Sequence, residues 1–318
     1  MAPGAREAPQ RHVLSRPRPP TESANPPLLT RLRSHAGAQV RALTRSNSGL
    51  SIDYDNPPGD PGLFGPDAVC WRVHGDFPAM LAGGVSALLL QALHPLALAG
   101  VWDHSTFRTD MQGRLGRTAQ FIAGTTYGSR ADAMRLIERV RRIHANISGL
   151  APDGQPYAAD DPALLTWVHV AEVSSFLAGY LRYVGPLSAA DQDRYYAEEA
   201  TVATLLGAPD VPGSRAEVHA YLEAQRPYLV NSERTREVVR LVMAMPVANP
   251  LLVPAVRTMA DAGVALLPPW AREALGLHRR SMRRTLAVPA MGALAPTLRW
   301  VLGPGLAARA RRRVARSA

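Results

Sequence analysis

His144 is the residue of this chain best placed to do chemistry. Between Ser129 and Gly149, Ala133, Ile137, Val140, His144 and Ile147 recur at spacings of 4, 3, 4 and 3, an apolar helical stripe with an imidazole on it. Arg135, Arg139, Arg141 and Arg142 fall beside or opposite that stripe. An imidazole among apolar side chains needs a partner for at least one nitrogen. Just upstream, Arg114, Arg117 and Thr118 stand at i, i+3 and i+4 and share a helix face. A second histidine, His169, lies on another apolar stripe with Leu165, Val173, Phe176 and Tyr180, and Glu172 sits beside it. Histidines on apolar faces with arginine nearby suit a non-covalent haem. The imidazole serves the iron, the apolar wall the porphyrin and the guanidinium the propionates. The plainer reading of these residues is hydrogen-bonded core histidines, and spacing alone does not displace it.

Other chemistries find less support. Cys70 is the only cysteine, which leaves no disulfide framework, zinc cluster, iron–sulfur ligand set or C-x-x-C-H haem attachment. All 36 basic side chains are arginine, so Schiff-base and P-loop lysines are excluded. His169-x-x-Glu172 is a single, reversed copy of a motif that a di-iron carboxylate bundle needs twice. Asp160-Asp161 is a lone acidic pair, better read as a helix cap than as a magnesium site. H-E-x-x-H, G-x-S-x-G and G-x-G-x-x-G do not occur.

The elements that must position these residues read as helices. Tyr127-Gly128 breaks two consecutive ones, with Ser129 capping the second. Asp160 or Asp161 caps the next, with Pro162 at its first position, and it runs to Gly185-Pro186. Ser188 opens another, stopped by Gly207, and Ser214 with Glu217 forms a capping box. Further helical stretches are expected near 232–245, 250–266, 270–287 and 292–302, punctuated by prolines. Phe77–Trp102 carries no formal charge over 26 residues. Gln91, His94 and Pro95 interrupt it and Asp76 and Asp103 flank it, which favours a buried, kinked helix over a membrane-inserted one. His94 and His104, near its end, read as structural histidines. Period-2 strands are absent. The expectation is an all-α protein with eight or more helices: a disordered Arg/Pro-rich segment 1–65, one helical domain 66–303 and a basic tail 304–318.

The net charge of +10 lies in the tails. Residues 1–50 carry +6, residues 299–318 another +6, and residues 51–298 sum to −2. A nucleic-acid-binding core would carry its own basic face, so no nucleic-acid partner is expected, and the enzyme should survive deletion of residues 1–50 and 304–318. No apolar secretory core with a cleavage site opens the chain, so a cytoplasmic location is expected.

The ordered series HPLALAGVWDHSTFRTDMQGRLGRT, YG, RRIHANISG, YAADDPALLTWVH and VGPLSAADQDRYYAEEATVATLLG resembles the MpaB-type oxygenase family, which includes the latex-clearing rubber oxygenases, over roughly residues 70–285. The resemblance implies a globin-reminiscent, all-α haem b protein. It would use dioxygen on a lipophilic, unsaturated, isoprenoid-like substrate. It puts His144 at the iron and Arg114, Arg117 and Thr118 beside the haem, with His169 as second-choice ligand or supporting group. Where some rubber oxygenases have a lysine able to cap the iron, this chain has Arg117, which stays protonated and cannot ligate. An open, water- or oxygen-bearing position opposite His144 is therefore expected. The alternative is a helical, membrane-associated or structural protein without cofactor, and peripheral membrane contact is compatible with either reading.

Overall fold

A computed structural model describes residues 51–316 except 246, 248 and 279–281. Thirteen α-helices are present among these residues: α1 Val69–Val73, α2 Phe77–Gln91, α3 Pro95–His104, α4 Met111–Tyr127, α5 Arg130–His144, α6 Pro162–Tyr183, α7 Ala189–Leu206, α8 Arg215–Gln225, α9 Glu233–Met243, α10 Val253–Leu266, α11 Pro269–Ala274, α12 Met282–Leu302 and α13 Leu306–Ala315. Between α5 and α6 a short antiparallel hairpin pairs β1 Ser148–Leu150 with β2 Pro156–Ala158. The fold is all-α, with only this two-stranded sheet among the described residues.

The centre is the α2–α6 pair, with α10 laid against both. Two glycines set their approach. A Cβ on Gly83 would stand 2.9 Å from Phe176 Cδ1 and from the Ser175 carbonyl, and one on Gly179 2.7 Å from the Ala79 carbonyl. Ser175 Oγ donates to Ser86 Oγ across the same seam at 3.2 Å. This contact holds α6 rigidly, and α6 carries His169 and Glu172.

Local signals explain most helix ends. Ser129, Asp161, Ser188 and Ser214 each accept a backbone N–H of their helix's first turn. Gly207 closes α7 at φ 112°, a conformation that side-chain-bearing residues avoid. The Ser214 box closes differently from expectation, because the Glu217 carboxylate accepts from Gly213 N and not from Ser214.

Three expectations differ. The 77–102 stretch is two helices meeting at 107° and not one kinked helix. The physical reason is that Pro95 occupies the first position of α3 and His94 caps it, accepting from Ala97 N. The expected 270–287 helix is cut after Ala274 by Gly276 at φ 68°, while α12 runs through Pro289 and Pro296. The supposed tail contains α13, whose Arg313 is fully buried and donates to the carbonyls of Asp60, Tyr127 and Gly128 at 2.9, 2.8 and 3.2 Å. Charge counting cannot see this, since one arginine among several was turned inward. Residues 1–50 of the expected disordered segment lie outside the described residues; 51–65 are packed, with Tyr54 buried and Asp55 paired to Arg309.

Among the described residues two helices are long and apolar enough to cross a membrane, α6 and Thr285–Leu302 of α12, and the bent α2–α3 pair also passes if taken together. The α6 window is 61% buried inside the protein, whereas that of α12 is 17% buried. Ala287, Met291 and Ala295 line the inner side of α12, and Leu286, Pro289, Ala293 and Pro296 are exposed on its outer side.

Candidate active site

His144, at the C-terminal end of α5, opens on an interior cavity of about 80 Å³. From α6 come Leu165, His169, Glu172, Val173 and Phe176; from α4, Phe121, Ile122 and Thr125; from α7, Glu199 and Val202; and from the end of α1, His74. The α5 stripe is deepest at Ala133 and Ile137 and shallower toward Val140 and His144, which are half-buried. Burial lowers the His144 pKa, Asp160 opposes the shift and Arg114 adds to it, so the ring is neutral at pH 7.

His169 lines the same cavity from α6. Its Nε2 is enclosed and has no hydrogen-bond partner. Burial takes its pKa down to about 4, leaving a neutral ring with a free lone pair. Glu172, one turn along α6, is pushed up to about 7 by burial, with the Arg114 charge pulling the other way.

Behind these lies a polar group whose catalytic potential sequence reasoning missed. His74 is buried and bonds Thr126 Oγ1 at 2.9 Å through Nδ1 and Tyr195 OH at 3.0 Å through Nε2. Thr126 spends its own proton on the Ile122 carbonyl at 2.7 Å, which makes Nδ1 the protonated nitrogen of His74. Burial, and then the neighbouring His169, take its pKa to about 3. Glu199 Oε1 lies 3.8 Å from His74 Nδ1, and its carboxyl is raised to about 8 by burial and then by the charges of Glu172 and Glu198. Both partners are neutral at pH 7, so the contact is polar and not an ion pair. The available signal was Glu199 on the stripe with Tyr195 and Val202, a carboxylate where an apolar residue belongs.

The arginine face is divided by the structure. Arg114 is half-buried, donates to Ser105 Oγ at 3.2 Å and lies within electrostatic reach of Glu172 and His144. Arg117 and Thr118 are exposed: Arg117 reaches Thr106 Oγ1 and Asp110, and Thr118 bonds the Arg114 carbonyl. His94 and His104 have structural partners, the latter Tyr157 OH at 3.1 Å. No group of three or more His, Cys, Asp or Glu side chains able to hold a metal ion occurs among the described residues.

The cavity is thus largely apolar-walled, with neutral imidazoles and carboxyls whose ionisation burial opposes, inside an all-helical body. Residues 71–315 match the family described as ER-bound oxygenase mpaB/B'/rubber oxygenase, catalytic domain, and the chain belongs to it. It is thus an oxygenase catalytic domain, taking dioxygen and a small-molecule substrate. No curated protein and no solved structure matches it significantly.

Proposed function

We propose that this oxygenase binds haem b in the cavity between α5 and α6 and acts on a lipophilic, unsaturated substrate. The observation that carries this is the opening of two neutral imidazoles, His144 and His169, on one apolar-walled space, one of them with a nitrogen that nothing satisfies. The donor set fits an iron porphyrin, which needs one or two imidazoles and not a three-residue metal cluster. The cavity of about 80 Å³ is smaller than a porphyrin, so seating one requires a wall to give.

Bound haem supplies the activation of dioxygen; the protein supplies the rest. His144 holds the group from α5. Arg114 offers a fixed positive charge to a propionate or to a polar group of the reactants. Phe121, Ile122, Leu165 and Phe176 exclude water and orient an apolar chain. Glu199, its carboxyl raised to about 8, holds a proton beside the cavity at neutral pH, and Glu172, raised to about 7, can give up or take one there.

The test is the visible spectrum of purified protein offered hemin. A Soret band appears in the wild type and is lost in His144→Ala. Colourless wild type, or full haem retention in His144→Ala, overturns the assignment. The exposed apolar face of α12 supports a peripheral membrane contact alongside this activity, read by flotation with vesicles.

A further inference from the structure

We propose that His169 is a second axial ligand, so that the resting protein grips its haem between two imidazoles, His144 from α5 and His169 from α6. The inference rests on the haem reading above and replaces the expectation of an open position opposite His144.

Four observations carry it. A buried imidazole nitrogen without a partner is costly, and His169 Nε2 is in that state, whereas both nitrogens of the neighbouring His74 are satisfied. His169 lines the cavity in which the group would sit. The two histidines reach one cavity from separate helices: α5 packs on α4 and α7, while α6 packs chiefly on α2. The remaining groups are poor competitors. Arg117 is a permanent cation turned to solvent, His74 has no free nitrogen, and burial disfavours the charged forms of Glu172 and Glu199.

His169 is also well built for the task. It sits on the helix fixed by the glycine-mediated contact with α2, two turns before Phe176, which itself rests on Gly83. A ligand on a rigid helix returns to the same place after displacement, which suits a cap that dioxygen must displace.

The experiment is the ferric spectrum and electron paramagnetic resonance of the hemin-loaded full chain, wild type against His169→Ala and His169→Gln. The wild type is expected to be six-coordinate and low-spin. Both variants should retain haem through His144 and turn high-spin, and free imidazole should restore the low-spin signal in His169→Ala. Cyanide should bind the variants at least about tenfold more tightly, because the wild type offers a vacant position only for the fraction of time that His169 is away. A high-spin wild type overturns the proposal, as does a low-spin signal unchanged in both variants. His169→Gln keeps a polar group in the cavity, so loss of the signal there is not a packing defect. Wild type that takes up no haem at all overturns the underlying reading, an outcome distinct from high-spin haem.

Discussion

Replacing Glu199 by glutamine should remove the larger part of the stability loss that the wild type suffers as pH rises, leaving the smaller part contributed by the raised Glu172 carboxyl. Glu199 is buried, and burial takes its carboxyl from the ordinary 4.5 to about 8 in the folded protein. The folded state therefore holds a proton that the unfolded chain releases above pH 4.5. Stability from this group is fully present below about 4.5 and is lost as pH rises through about 8. At about 1.4 kcal/mol per pH unit the loss amounts to at most about 5 kcal/mol, a large share of the 5–15 kcal/mol that stabilises a typical domain. Glutamine has the same shape and no proton to lose. Urea unfolding of cofactor-free protein at pH 5 should give wild type and Glu199→Gln within about 1 kcal/mol of each other. At pH 8.5 the variant should be more stable by about 3–5 kcal/mol. A wild-type midpoint that is the same at both pH values would refute the reasoning, as would a variant that weakens in parallel with the wild type.

Arg313→Ala should lower stability by about 3 kcal/mol or more, since it strips charge-assisted bonds from three buried carbonyls; differential scanning fluorimetry reads this, and truncation before α13 should do at least as much damage. Gly83→Ala should cost about 1–3 kcal/mol, because its Cβ meets Phe176 and the Ser175 carbonyl at 2.9 Å. Gly84→Ala, with open space around it, should be neutral or stabilising by up to about 1 kcal/mol through helix propensity, and comparison of the two melting temperatures checks both. Acid should act through His74: buried and neutral with a pKa of about 3 against an ordinary 6.5, it contributes stability present above 6.5 and lost as pH falls toward 3, so His74→Gln should flatten the acid limb of the same urea series.

Helix identity was legible because periodicity and caps act locally. Ser129, Asp161 and Ser188 sit at helix starts that any observer of side-chain chemistry would choose, and the stripe ending in His144 faces inward. The stretch after the stripe's helix forms a hairpin of two three-residue strands, too short to show alternation. What spacing could not reveal was which polar residues meet. Residues 114, 117 and 118 share a helical face in projection, yet an arc wide enough to hold all three leaves only Arg114 near the cavity. His74 gave no signal, since it caps a five-residue helix and acquires its role from Thr126 and Tyr195, 52 and 121 positions away. Arg313 stayed hidden for the same reason: its partners lie 253 and 186 positions back.

That last clasp has a bearing on biosynthesis. The chain segments around Asp60 and Gly128 leave the ribosome long before the guanidinium that joins them, so the body stays unlatched until translation has reached position 313. A stalled or prematurely stopped polypeptide would present open carbonyls and the uncovered side of Tyr54 and Tyr127, the kind of surface that quality-control proteases and holdase chaperones engage.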